Sequence, residues 1–314
     1  MTRNARLCQI GLTALLLCVA FPKPCSCQVT DELTAQMRSA LKDSQITPEM
    51  VPLLQERAEK GDPKAQYVLG WIYFLGDIVS KDDGKAVEWM TKAANENAPS
   101  ARTQLGLMYL SAKDIPGNYA LAREWLLKGA AQNENDALNA LGVVYSEGLG
   151  VDADGNEALK YFRKAADAGF DMAQYNLGYQ YYTGKLVPQD FKEAAKWFRL
   201  AAQQDHVRAT YSLAVMLRDG QGVPTDNAEA FRLFQKAAEK FRFAPAQHNL
   251  GAMYFLGKGV PKDLVLAYMW IDLAAVAGFE PSKKLLPTVS EKMTPEQIAE
   301  AKQKVQEWIS THAS

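Results

Sequence analysis

A six-residue pattern, Ala-x-x-x-Leu-Gly, returns along this chain at nearly constant spacing, and no other feature restricts the fold as strongly. It reads AQYVLG at Ala65, ARTQLG at Ala101, ALNALG at Ala137, AQYNLG at Ala173, ATYSLA at Ala209 and AQHNLG at Ala246. The steps are 36, 36, 36, 36 and 37 residues. A second set keeps the same step: AVEWMTKAA at Ala86, AREWLLKGA at Ala122, ALKYFRKAA at Ala158, AAKWFRLAA at Ala194, AFRLFQKAA at Ala230 and AYMWIDLAA at Ala267. Periods of this length belong to repeat architectures, in which each unit buries its apolar face against its neighbours. The 314 residues therefore read as one elongated array rather than as two globular domains.

Each repeat reads as a pair of helices. Ala65, Leu69, Ile72 and Tyr73 fall at i, i+4, i+7 and i+8, one helical face. Tyr109, Tyr145, Tyr181 and Tyr254 repeat the last position, with Leu217 as the exception. Ala86, Trp89, Met90, Ala93 and Ala94 form a stripe on the second helix. Glycine turns separate the two: GLGV from Gly148, GKLV from Gly184, GQGV from Gly220 and GKGV from Gly257. Glycine tolerates the left-handed conformation that closes a helix. Asp82, Asn118, Asp154, Asp190, Asp226 and Asp263 stand four residues before the second-helix Ala, where an N-cap belongs.

Gly70, Gly106, Gly142, Gly178 and Gly251 sit inside the first helices, where each costs ~1 kcal/mol relative to alanine. Five such costs approach the net stability of a domain, roughly 5 kcal/mol. Their recurrence predicts close helix–helix contact at this position, and Ala214 fills the sixth slot with the next smallest residue.

Composition narrows the function. Apolar residues at 48% and charged residues at 23% exclude a disordered chain. A net charge of -1 lacks the basic footprint of a nucleic-acid binder. Three His and four Cys leave little material for a metal site.

The chain opens MTRNARLCQIGLTALLLCVAF. Arg3 and Arg6 precede an apolar run from Leu7 to Phe21, too short for a membrane-spanning helix of ~20 residues and of the form of a secretory signal peptide. Cleavage is placed after Ala20 or after Cys27. All four cysteines, Cys8, Cys18, Cys25 and Cys27, lie in this segment, so the later cut leaves a chain without cysteine. That chain has 32 basic and 36 acidic residues, a net charge of −4, and no membrane span. A lipid anchor at Cys27 is the competing reading: Ser26 is suitably small, but Pro24 and Cys25 fit a lipid-attachment box poorly.

The A-x-x-x-L-G-x-x-Y stretch, the G-x-G-V turn with Asp downstream and the A-x-x-W/Y-aromatic-x-x-A-A helix resemble the Sel-one-like repeat family, relatives of the tetratricopeptide repeats. The resemblance covers about residues 61–277. It implies an all-α fold, a right-handed α/α solenoid of paired antiparallel helices with N- and C-terminal capping helices. The expected organisation is a signal peptide at 1–27, a capping helix and half repeat at 28–60, six repeats at 61–277, and a half repeat with a capping helix at 278–314. Within these, Asp31–Leu41 reads as a covering helix. Thr294-Pro295-Glu296-Gln297 is a capping box opening a helix over Gln297–Ile309. The second repeat departs from the pattern at SAKDIPGN, and the sixth carries an extra residue around Phe241–Ala244.

At 100° per residue, Tyr67, Trp71 and Phe74 centre near ~205°, opposite the core face at ~25°. The fourth-repeat equivalents are Tyr175, Tyr179 and Tyr182. Other repeats contribute Thr103, Leu107 and Leu110; Asn139, Val143 and Ser146; Tyr211, Val215 and Arg218; His248, Ala252 and Phe255. In related helical repeats this face lines the concave groove. Its variation and its aromatic and Arg content suit a protein or peptide partner. The alternative is that these side chains pack against the next repeat.

No catalytic constellation appears. His206, His248 and His312 are scattered, and no H-E-x-x-H occurs. Ser39-Ala-Leu-Lys42 matches the S-x-x-K of penicillin-binding enzymes but lacks the S-D-N and K-T-G partners. Asp152-Ala-Asp154-Gly155-Asn156-Glu157 lacks calcium-loop spacing. The chain reads as an exported, non-enzymatic scaffold, periplasmic or secreted, with no cofactor and no metal. A β-lactam-interacting enzyme and a carbohydrate-binding envelope protein are the alternatives.

Overall fold

A computed structural model describes residues 26–98, 100–111 and 118–312. The expected leader lies outside them except for Ser26 and Cys27, and so does the second-repeat turn at 112–117. Sixteen α-helices, and no strand among the described residues, follow one another. α1 (Ser26–Asp43) leads through a single 3-10 turn (Pro48–Met50) into α2 (Val51–Glu59). Six repeats follow as α3 (Pro63–Leu75) with α4 (Asp83–Asn95), α5 (Ala101–Ser111) with α6 (Asn118–Ala130), and α7 (Asn135–Glu147) with α8 (Gly155–Asp167). They continue as α9 (Asp171–Thr183) with α10 (Phe191–Gln203), α11 (Val207–Asp219) with α12 (Asn227–Lys240), and α13 (Ala244–Leu256) with α14 (Leu264–Val276). α15 (Glu280–Ser290) and α16 (Pro295–Thr311) end the chain. The architecture is the all-α helical-repeat solenoid that the periodicity predicts.

The helices form two compact modules. The N-terminal one runs to Gln180 and includes Gly184–Pro188; the C-terminal one holds Tyr181–Thr183 and everything from Gln189 onward. Within each, the core lies between the first and second helices of a repeat and the first helix of the next.

Local chemistry fixes the helix ends. Asp82 accepts from the Lys85 backbone N–H at 2.9 Å, Asp226 from Glu229 at 2.9 Å and Asp263 from Leu266 at 2.9 Å. Asp154 and Asp190 cap α8 and α10 in the same way. First helices close on left-handed glycines such as Gly148 (φ 70°) and Gly257 (φ 69°), which L-residues adopt only with strain. At the C-terminal end Thr294 and Gln297 exchange hydrogen bonds of 3.0 and 3.3 Å, a complete capping box ahead of Pro295.

The mid-helix glycines are contact points. A Cβ on Gly142 would fall 2.4 Å from the Phe162 ring, and one on Gly251 2.6 Å from Ile271 and 2.9 Å from the Ala267 carbonyl. The second helix crosses where no methyl fits, so packing offsets the helical cost of glycine. The extra residue of the sixth repeat is absorbed without a break. α12 runs 14 residues, Arg242 turns left-handed at φ 50°, and Phe243 N–H reaches the Ala237 carbonyl at 3.1 Å.

Candidate interaction face

Three motif positions project from each first helix away from the core stripe: the third, the seventh and the tenth. Their burial divides them.

Third-position side chains act as joints. A helical side chain leans toward the N-terminus of its helix, which carries these residues to the start of the following first helix. Thr103 hydrogen-bonds Glu134, the residue before α7. The Tyr211 ring meets Phe243, the residue before α13, edge-on at 5.4 Å, and also packs on Phe234 at 5.7 Å. His248 stands 5.4 Å from Phe279, the residue before α15, and its Nδ1 lies 2.8 Å from Ser282 Oγ. Asn139 accepts from Asn176 Nδ2 at 2.8 Å. Tyr175, Tyr211 and His248 are buried, so in this state their surfaces serve repeat-to-repeat packing.

Seventh and tenth positions diverge by module. In the N-terminal module Trp71 is buried and meets Phe74 edge-on at 5.6 Å. Phe74 itself lies under Lys81. In the C-terminal module Arg218 is buried with its Nη1 donating to Asn249 Oδ1 at 2.5 Å and its Nε and Nη2 on Asp219 at 2.7 Å. Asn249 Nδ2 donates in turn to the Tyr211 hydroxyl at 3.2 Å. Tyr211, Asn249, Arg218 and Asp219 thus form one connected polar chain. Asn249 was not among the sequence candidates; an Asn inside an otherwise apolar helical stretch was the available signal. Phe255 is buried in a cluster with Tyr268, Leu285 and Val289.

Tyr67, Tyr179 and Tyr182 remain only half-buried. Burial raises the phenol pKa of all three, outweighing for Tyr182 the hydrogen bond its hydroxyl donates to Gln221 at 3.2 Å. Tyr179 and Tyr182 are three residues apart on α9, so they share one side of a single helical turn. Ser39 and Lys42 of the S-x-x-K match are both exposed on α1. Among the described residues no cluster of His, Cys, Asp or Glu could hold a metal ion. None of the described helices is long and apolar enough to cross a membrane.

The Sel1 repeat family model matches residues 63–97, 99–134, 135–170, 171–206, 207–240 and 244–279. The chain belongs to the Sel1 repeat family. A protective antigen of uropathogenic Escherichia coli strains displaying an SLR fold is similar at 32% identity and a TM-score of 0.70, over 82% of this chain. This chain spans 56% of that protein's length. A Sel1 repeat protein from Oxalobacter formigenes is similar at 27% identity and a TM-score of 0.63, over 77% of this chain and 96% of its own. No curated protein matches the sequence. The Sel1 repeat fold is in general a non-enzymatic scaffold for protein–protein interaction.

Proposed function

We propose that this Sel1 repeat protein is an exported adaptor or regulator that binds one protein or peptide partner through the outward face of its first helices. The observation that carries the reading is that Tyr179 and Tyr182 each stay half-buried, the one beside Tyr175 and the other beside Phe191, while Tyr175, Tyr211 and His248 of the same face are buried. Tyr presents a large, stiff, amphipathic surface, and such residues dominate binding energies when they become desolvated against a partner. Tyr67 belongs to the same face in the first repeat. Trp71, Phe74, Tyr175, Tyr211, Arg218, His248 and Phe255 shape the face from beneath. Export rests on the basic start and short apolar run of residues 1–21, and places the protein in the periplasm or outside the cell.

In-cell crosslinking with mass spectrometry tests this, comparing wild type with a Tyr179→Ala/Tyr182→Ala variant. Expected is a dominant partner for wild type, lost in the variant, with the melting temperature within about 3 °C of wild type, the scale of ~1 kcal/mol for a domain this large. A partner captured equally by both proteins contradicts the assignment of this face.

A further inference from the structure

α1 packs on α3, α5 and α7, the first helices of three successive repeats. It therefore lies across the outward face of the N-terminal module. Thr34, Met37 and Leu41 fall at i, i+3 and i+7, one stripe of the helix. Leu41 is buried and Met37 half-buried in the same cluster as Tyr67, Trp71 and Leu110. Met37 Sδ stands 4.0 Å from the Tyr67 hydroxyl. Ala35, Arg38, Ser39, Ala40 and Lys42, on the other sides, are exposed. One charged contact orients the helix, Arg38 Nε to Asp77 Oδ2 at 2.7 Å, with both side chains about half exposed.

The seat is not sealed. A cavity of about 380 Å³ opens along the seam, lined by Arg38, Leu41, Lys42, Ile46, Asp77 and Ile78. An exposed ion pair adds ~0–1 kcal/mol, so Arg38 and Asp77 orient α1 more than they fasten it. By contrast, Leu69, Ile72, Met90 and Leu105 in the repeats' own core are wholly buried. Each repeat also keeps a core of its own between its first and second helices.

We infer that α1 is a resident ligand of this face, and that the partner which replaces it is an amphipathic helix carrying the same signature. That signature is apolar residues at i and i+4 in the places of Met37 and Leu41, with a basic residue between them facing Asp77. A tethered helix holds its seat by effective concentration rather than by intrinsic affinity. A competitor then sees an affinity reduced by the fraction of time the seat is open. The inference deepens the scaffold reading by naming a partner class and an internal competitor, and it rests on that reading for its biological sense.

The test uses a fluorescently labelled synthetic peptide of residues 26–43 against the full chain. Met37→Glu/Leu41→Glu removes the anchors of the resident helix without touching its seat. The peptide is expected to bind this variant at least about tenfold more tightly than wild type, and adding Asp77→Arg to the variant should weaken that binding. Arg38→Glu, an exposed change, should by itself speed amide exchange across residues 34–43 while leaving exchange in α5 unaltered. Failure of the peptide to bind the anchor variant, or Arg38→Glu accelerating α5 together with α1, would make α1 an integral part of the core and overturn the inference. Neither readout involves Tyr179 or Tyr182, so failure here leaves the crosslinking result standing, and the reverse.

Discussion

The first-helix faces of residues 63–147 and of residues 207–290 share one sequence register, yet their side chains close them differently. In the N-terminal module the register supplies Tyr67, Trp71 and Phe74, which share one apolar cluster with Met37 and Leu41 of α1. In the C-terminal module it supplies Tyr211, Arg218 and His248, which are tied into the framework by Asn249, Asp219, Phe243, Phe279 and Ser282. The difference teaches that a helical repeat fixes where side chains project but not what they project into. Third positions make joints in both modules, whereas the seventh and tenth join an apolar seat in one and hold the buried Arg218 in the other.

The largest effect should come from breaking the polar chain. Asn249→Leu takes an acceptor from the buried Arg218 guanidinium and a donor from the Tyr211 hydroxyl, with an expected cost of about 2–4 kcal/mol. Asn176→Leu in the N-terminal module leaves only Asn139 short and should cost about 1–2 kcal/mol. Urea unfolding of the two variants measures the contrast, and equal losses would erase it.

Gly142→Ala and Gly251→Ala probe what the modules have in common. Helix propensity alone favours alanine by about 1 kcal/mol, whereas the 2.4 and 2.6 Å approaches call for overpacking costs of about 1–3 kcal/mol. Destabilisation of both proteins in thermal melts is expected. A rise in melting temperature at either site would mean that the helices do not meet as closely as described.

A pH-dependent effect belongs to the C-terminal module. His206 caps α11, its Nδ1 accepting from the Ala209 N–H at 3.2 Å. Burial, helped by the charge of Arg208, lowers its pKa to about 4. The unfolded histidine, near 6.5, takes up its proton first as the pH drops. Stability from this group is therefore full above about 6.5 and declines until about 4, below which it is lost. Melting temperatures across that window should fall more steeply for wild type than for His206→Asn, which keeps a capping oxygen without the titration.

Much of the fold was legible because its signals are local or strictly periodic. The Asp caps, the glycine turns and the Thr294 box involve residues within a few positions of one another, and the mid-helix glycines repeat in step with their contacts. The interaction face was less legible for a specific reason. A helical wheel sees one cylinder, so Tyr211 and His248 projected away from their own core and read as available surface. The groups that bury them, Phe243 and Phe279, come from the start of the next repeat, a position the wheel does not contain. Asp31–Leu41 was readable as a helix from its own sequence, but nothing in its spacing said that it would lie across three repeats.

The most direct test of this division between joints and recognition surface is a paired thermal melt of Tyr211→Ala and Tyr179→Ala/Tyr182→Ala. Removing a buried aromatic side chain costs about 3–5 kcal/mol, so the single Tyr211 variant should melt many degrees below wild type while the double variant stays close to it. A double variant that melts as low as Tyr211→Ala would return the α9 tyrosines to the core and contradict their assignment to a partner.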